Sequence, residues 1–418
     1  METTIVNDRR DVHMGKIRRW PSFWSIVAGV ILAAGAYVTY VRVTKGLGAT
    51  TNLSDQFPWG LWIGFDILCG VGLAAGGFTL AALVHIFNIK RFEPILRPTI
   101  LTAFLGYILV IVGLMYDLGR PFQIWHAIIM WNHHSVMFEV AWCVMLYTTV
   151  LSLEFSPVVL EKFRMRRTLR IVKRVMPPLI IIGVLLSTLH QSSLGSLYLI
   201  VPEKLYALWY TPYLPVLFFF SAVSAGCAMI IFESTLSGRR FGKGLERPLL
   251  MEISRVAVLM LAVYATMKGV DLANRGALPL LFVPRTETYL FWLEIGLGVA
   301  APIVVFGVPR IRQSRNGLFL GSVLVILGFI LNRMNISITG MEAWSGVAYF
   351  PSWMEITVTM AIVAAGFIVF TAAARYLPLF KHGSEEERET PVVDYIEDLR
   401  LASEPNLKEI SHEIYSNK

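Results

Sequence analysis

Ten apolar stretches, each close to the length that spans a bilayer, recur along the chain and leave it few ways to fold. They run at about 22–43, 58–87, 98–116, 135–155, 176–198, 212–234, 254–270, 288–308, 317–333 and 353–374. A helix needs roughly 20 apolar residues to cross the hydrocarbon, and inside lipid each segment must satisfy its own backbone hydrogen bonds. The expectation is an all-α integral membrane protein of about ten transmembrane helices. Of 418 residues, 55% are hydrophobic and 16% charged, against about 25% charged in soluble domains. The first stretch is too long for a signal h-region and lacks a small-residue cleavage site, so it reads as a retained helix.

The basic residues then set an orientation. Of 37 Lys and Arg, 29 fall on the side that holds the N-terminus and 8 on the other, so the positive-inside rule predicts both termini in the cytoplasm. The net charge of +8 is therefore a topology signal and does not call for a nucleic-acid partner. Three regions follow: a cytoplasmic N-terminal segment, 1–21; a transmembrane domain, 22–375; and an acidic cytoplasmic tail, 376–418. Residues 381–418 carry ten acidic and five basic side chains. Within this solvated tail, Val392–Leu401 has the pattern of a short amphipathic helix.

A charged group in hydrocarbon costs at least ~2.5 kcal/mol at a helix centre, so its position is informative. Asp66 lies roughly 12 Å into the second stretch, measured from its outer end at 1.5 Å per residue. The third stretch ends outward at Tyr116-Asp117, and the fourth begins outward at His133-His134 with Glu139 about one turn in. The fifth delivers His190, Gln191, Ser192 and Ser193 to the same side. Four helices thus bring carboxylates and a histidine to one leaflet. Asp66 and Glu139, flanked by apolar residues, favour a functional reading, whereas Asp117 beside Arg120 favours a helix-end structural one.

Glu139 and Glu154 are separated by about 22 Å of helical rise and lie within about 60° of one face. Such a pair can carry protons between leaflets, bridged by water and by hydroxyls such as Tyr147, Thr148 and Ser152. Pairing of Glu154 with the basic stretch Lys162–Arg174 is an equally good reading. Glu233, near Arg239 and Arg240, has the same ambiguity. Asn332-Arg333-Met334-Asn335 with Tyr349-Phe350-Pro351 reads as an outer polar and aromatic rim.

Three separated cysteines, Cys69, Cys143 and Cys227, supply no cluster motif. His85 falls on the inner side while His134 and His190 are outer; His134 with His190 is a conceivable haem pair, but each is near a helix end and no second pair exists for a transmembrane ladder. There is no Walker, dinucleotide or zinc spacing. No haem, iron–sulfur cluster or metal is expected in this chain.

The runs Phe57-Pro58-Trp59-Gly60-Leu61-Trp62-Ile63-Gly64-Phe65-Asp66, Tyr116-Asp117-Leu118-Gly119-Arg120-Pro121, Val136-Met137-Phe138-Glu139 and Leu153-Glu154-Phe155-Ser156-Pro157 carry a family resemblance. So do His190-Gln191-Ser192-Ser193-Leu194-Gly195, Asn332-Arg333-Met334-Asn335 and Tyr349-Phe350-Pro351-Ser352-Trp353. Over about 20–375 the chain resembles the polysulfide-reductase NrfD/PsrC membrane family, most of all its HybB-type hydrogenase branch. The resemblance implies a haem-free subunit of the bacterial inner membrane that binds a quinone, menaquinone or ubiquinone, near the outer leaflet. It also implies electron exchange with a periplasmic multi-cluster iron–sulfur subunit. A nickel–iron hydrogenase, molybdopterin enzyme or multihaem cytochrome c would lie beyond that. By the same resemblance Asp66 and His190, with Gln191 and Ser192, would hold the quinone head group. Glu139 and Glu154 would carry protons, with Asp117 and Glu233 as further candidates.

Two other function classes remain. A secondary transporter would place its acids near the midplane, and here they gather near one leaflet. A passive anchor for a periplasmic enzyme would leave Asp66 and Glu139 as costs without a use.

Overall fold

The computed structural model describes residues 23–200, 205–241 and 247–379, without the side chains of 239–241. The basic N-terminal segment and the acidic tail, with Val392–Leu401, lie outside the described residues. Ten long helices follow one another: α1 Phe23–Lys45, α2 Trp62–Ile86, α3 Lys90–Asp117, α4 Val136–Lys162 and α5 Arg166–Leu197. They continue with α6 Leu214–Phe241, α7 Arg247–Asn274, α8 Thr286–Gly307, α9 Arg315–Ser345 and α10 Trp353–Tyr376. Among the described residues there is no strand. Nine of the ten are long and apolar enough to cross a membrane. The other, α5, is 32 residues long, and its basic first turns and polar His190–Ser193 end lower its apolarity.

Helices α2–α5 close one four-helix bundle and α6–α9 a second. They meet where α6 packs on α5 and α2, while α1 and α10 pair beside α3. One end of the molecule carries the aromatic-rich connections, including Phe57, Trp59, Trp125, Trp131 and Tyr349. The opposite end carries basic ones, with Arg91, Arg164, Arg310 and Arg312. At the basic end Arg97 bonds both to Glu161 and to the Pro378 carbonyl. At the aromatic end Arg42 donates to the carbonyls of Tyr116 and Leu118 at 2.9 and 2.6 Å. Both described chain termini therefore emerge at the basic end, as an even number of crossings requires.

Serine caps start several helices: Ser135 for α4, Ser314 for α9, and Ser352 with Glu355 as a reciprocal capping box for α10. The bundle interiors rely on backbone contact in places. In the α8–α9 crossing, a Cβ added to Gly298 would lie 2.6 Å from the Gly328 Cα, and one added to Gly328 would overlap Gly298. Gly328→Val should therefore lower the thermal midpoint of the purified protein, because forced overpacking costs about 1–3 kcal/mol or more. Gly296→Ala, which meets open space, should leave the midpoint unchanged; equal midpoints for the two variants would contradict this packing.

Several helices extend past their expected ends. Helix α9 runs on through Asn332–Asn335 to Ser345. The expected outer rim is in fact interior: Asn332, Arg333, Asn335 and Tyr349 are buried, and only Phe350 of that set is strongly exposed. The reason is that Asn332, Arg333 and Asn335 find partners inside the second bundle and Tyr349 bonds to Glu355 and Leu61, so polarity here does not mark the membrane surface.

Candidate functional site

Helix α2 is irregular where it carries its acid. Trp62–Cys69 is π-helical, α-helical turns follow, a break falls at Ala74–Ala75, and a second π segment spans Ala82–Ile86. Such π segments recur at functional sites because they re-aim side chains at the expense of regular hydrogen bonding. The start of α2 is held by Glu355. Its Oε1 accepts from the backbone N–H of Asn52 at 2.9 Å, and its backbone carbonyl accepts from Trp62 Nε1 at 3.2 Å. Tyr349 Oη donates to Glu355 Oε2 and accepts from the Leu61 N–H. Burial, reinforced by the bond to Glu355, raises the Tyr349 phenol well above its ordinary range, so it stays a donor.

Within this frame Asp66 is 6% exposed, and its Oδ2 accepts from Thr359 Oγ1 on α10 at 2.7 Å. Oδ1 has no hydrogen-bond partner among the described residues. Asp66 lies in the wall of a cavity of about 370 Å³ between α2, α3, α6 and α10. Leu73, Leu105, Leu109, Phe232, Phe367 and Phe370 make its wall largely apolar. Glu233 also lines it, and Glu233 Oε2 accepts from Thr102 Oγ1 at 2.6 Å. The cavity thus has a long apolar surface with two carboxyl groups in its wall, each bonded to a threonine from a neighbouring helix. The side chains of Arg239 and Arg240 lie outside the described ones.

His190 is not in that wall. It is fully buried, and its Nδ1 shares a hydrogen bond with Tyr107 Oη at 3.0 Å while Nε2 has no partner among the described residues. Gln191 Nε2 donates to the Val71 carbonyl at 3.0 Å. Residues Gly70 and Ala74 of α2 and Gly106 and Val110 of α3 face the cavity, whereas Val71 and Tyr107 bond toward α5. Asp66 and the His190–Gln191 pair therefore sit on different sides of a wall made by α2 and α3. Ser192 is half-buried, and its carbonyl accepts from Ser196.

Along the α4–α5 contact, Glu139 meets Ser193, and Tyr147 and Glu154 both lie near Gly183. Ser193 Oγ donates to Glu139 Oε1 at 2.6 Å. Tyr147 is buried edge-on to Tyr107 with ring centroids 4.7 Å apart, and Tyr107 meets His190. A Cβ on Gly183 would stand 3.0 Å from Glu154 Oε1. A seam of polar groups thus runs from Glu139 near the aromatic end to Glu154 toward the basic end. Glu139 itself is exposed on the protein surface, less enclosed than its apolar neighbours suggest. Ser152 is exposed and bonds to the Thr148 carbonyl, whereas Tyr147 is buried within the seam. Glu154 takes no ion pair among the described residues. It is Glu161 that pairs with Arg97 and Lys173.

Asp117 ends α3 half-buried, its Oδ1 without a partner among the described residues, and the cation beside it is Arg42 of α1. His134 is exposed against His133, with ring centroids 4.0 Å apart, and shares no contact with the buried His190. Among the described residues no three His, Cys, Asp or Glu side chains gather as a metal site. Thr359, Thr102 and Tyr107, which partner the acids and the histidine, carried no signal in the sequence. Each is an ordinary residue inside an apolar run.

The profile of the family described as Polysulphide reductase, NrfD matches residues 49–343. A protein of Nitratidesulfovibrio vulgaris is 40% identical over 372 residues, covering 86% of this chain and 95% of its own length. The probable Ni/Fe-hydrogenase 2 b-type cytochrome subunit of Escherichia coli is 32% identical over 359 residues, covering 85% and 91%. The menaquinone reductase integral membrane subunit of Nitratidesulfovibrio vulgaris is 29% identical over 399 residues, covering 87% and 93%. With these matches and its multi-pass helical fold, the chain belongs to the polysulphide reductase NrfD family of integral membrane proteins.

Proposed function

We propose that this chain is the quinone-reactive membrane subunit of a respiratory oxidoreductase complex, with its basic end in the cytoplasm. The observation that carries the reading is the apolar cavity with Asp66 in its wall. A bound quinone, menaquinone or ubiquinone, would supply the two-electron redox chemistry. The apolar walls fit an isoprenoid tail, and Asp66 with Thr359 fits the polar head group as an orienting hydrogen-bond pair. Pockets of this kind, mostly apolar with few placed polar groups, are the usual form of small-molecule sites.

The remaining residues handle protons. Ser193 holds Glu139 by its Oε1 and leaves Oε2 free to exchange protons at the surface. His190, bonded to Tyr107 on one nitrogen, keeps the other open as a proton acceptor within the seam. Glu154 extends the same line toward the basic end, and Glu233 with Thr102 serves the far part of the cavity. Asp117 is kept near the aromatic end by Arg42. Electrons would come from an iron–sulfur partner docked on the aromatic end, where Phe122, Trp125 and Trp131 are exposed. A hydrogenase or another periplasmic redox enzyme would stand beyond it.

The test is a photoreactive quinone analogue added to the assembled complex. Labelling should fall within residues 65–74, 102–110, 229–237 and 362–371, which line the cavity, and excess quinone should suppress it. Labelling confined to other segments would reject the site. A passive anchor would show no competed labelling at all.

The cofactor reading has its own check. The buried His190 and exposed His134 do not form a facing pair, so a pyridine haemochrome assay of the complex, freed of any cytochrome partner, should find no b-haem. A stoichiometric b-haem would overturn it.

A further inference from the structure

The cavity that holds Asp66 is open on one side. Helix α2 lines it with residues 65–74, from its aromatic-end half, and α6 with residues 229–237, from its basic-end half. The cavity therefore runs aslant from Asp66 to Glu233, over about 12 Å between Thr102 and Val110 of α3 at 1.5 Å per residue. Where α6 and α10 flank its basic-end part, wall residues reach the protein surface. Phe367 is 57% exposed, Val363 39% and Leu236 36%.

The opening follows from how α10 is packed. Helix α10 lies against α1 and α3, and α6 against α2, α5, α7 and α9, whereas α6 and α10 are not a packed pair among the described residues. At Gly366 a Cβ would stand 2.6 Å from Leu109 Cδ1, so the missing side chain lets α10 close on α3 with Leu109 in place. Both ends of α10 are tied down. Glu355 and Thr359 bond to Trp62 and Asp66 toward the aromatic end, and Arg97 holds the Pro378 carbonyl at the basic end, where Leu379 is buried. The gap beside α10 is thus a standing slot that needs no hinge to open.

A slot rimmed by Leu, Val and Phe admits an apolar solute from lipid, while a charged one would pay heavily to reach it through hydrocarbon. At about 370 Å³ the cavity is at the small end of ligand pockets, which run ~300–1,000 Å³. It has room for a head group and the first part of a long tail. The remainder has to lie in lipid, and the slot is where it can leave. A head group passing the slot first meets Glu233, Thr102, Ser237 and Thr371, the polar residues of the basic-end wall.

We propose that the slot between α6 and α10 is the entry and exit route of a long-tailed, lipid-soluble quinone. The head group enters in the basic-end half of the membrane and moves up to Asp66, and the tail stays threaded through the slot. Leu236 and Phe367 are the opposing rims, and Glu233 with Thr102 is the first hydrogen-bonding station on the way. The inference rests on the quinone reading and adds the side from which that site is loaded.

The test blocks the slot without touching Asp66. Leu236→Cys and Phe367→Cys complexes in proteoliposomes are treated with a bulky, lipid-soluble pyrene maleimide, with Val369→Cys and the wild type alongside. Val369 is 47% exposed but lies two residues from Phe367, about 200° around α10, and does not line the cavity. The native Cys69, Cys143 and Cys227 are buried. Turnover is measured against the mole fraction of a long-tailed quinone in the bilayer. Modification of either rim cysteine should lower kcat/KM by at least about tenfold relative to the same variant unmodified, because binding that waits for packed helices to part is slow. Since Asp66 is untouched, kcat should change by less than about twofold. Modified Val369→Cys and the treated wild type should keep their kcat/KM. Unchanged kcat/KM in both modified rim variants, with photolabelling of the cavity still suppressed by quinone, would overturn the route and leave the quinone site standing. An equal loss in modified Val369→Cys would do the same. Quinone-suppressed photolabelling only outside the cavity walls would overturn both. Should one rim variant fail to assemble, the other decides.

Discussion

Asp66→Asn is expected to lower quinone-linked turnover of the assembled complex by about 10²-fold, within the range lost when a proton-transfer group is removed. Asparagine keeps the size of the side chain and still offers an oxygen to Thr359, so the contact between α2 and α10 survives. What it loses is the ability to ionise and to carry a proton beside the cavity. Assembly, followed by co-purification of the partner subunits, should be unchanged. Near-normal turnover in an assembled Asp66→Asn complex would remove Asp66 from the chemistry and leave it a helix-packing residue.

The seam between α4 and α5 gives the second large effect. Glu139→Gln should reduce turnover by at least about tenfold with the complex intact, because Ser193 can still donate to the amide oxygen while proton exchange at the surface is lost. Glu154→Gln should act differently. It should impair proton movement across liposomes while turnover is partly retained through protons from the aromatic end. If both variants lose only assembly, the seam is structural. If wild-type vesicles turn over with no charge movement, protonation is confined to the aromatic end.

Much of this architecture is legible in the sequence, because lipid imposes simple rules. Runs such as 98–116 and 353–374 have no soluble alternative, and α3 and α10 fall on them. The ends are less legible. Helix α5 begins at Arg166, ten residues before its apolar core, since Arg166, Arg167 and Arg170 can extend a helix beyond hydrocarbon without penalty. The polar stretch Asn332–Asn335 misleads in the opposite sense. Asn332 and Asn335 serve Glu294 from within the bundle, and a sequence does not show which distant residue will satisfy an amide.

The site divides in the same way. Asp66, Glu139, Glu154 and His190 are conspicuous because ionisable groups are rare among apolar neighbours. That same signal marks Glu294 and Lys268, although Lys268 passes for a loop cation if only topology is counted. The grouping of these residues is not legible. Helices α2 and α3 separate Asp66 from His190, and the partners Thr359 on α10 and Thr102 on α3 come from remote parts of the chain. Such pairings depend on helix rotation, which follows from packing at glycine contacts and π segments rather than from spacing alone.

The most direct test is an experimental structure of the assembled complex with a quinone or a quinone-site inhibitor bound. The head group should lie within hydrogen-bond reach of Asp66, about 2.6–3.2 Å, with its tail along Leu105, Phe232 and Phe367 in the cavity. A head group more than about 10 Å from Asp66, several times the reach of a direct hydrogen bond, would contradict the account, whether it sits beside His190 across the α2–α3 wall or in another part of the protein.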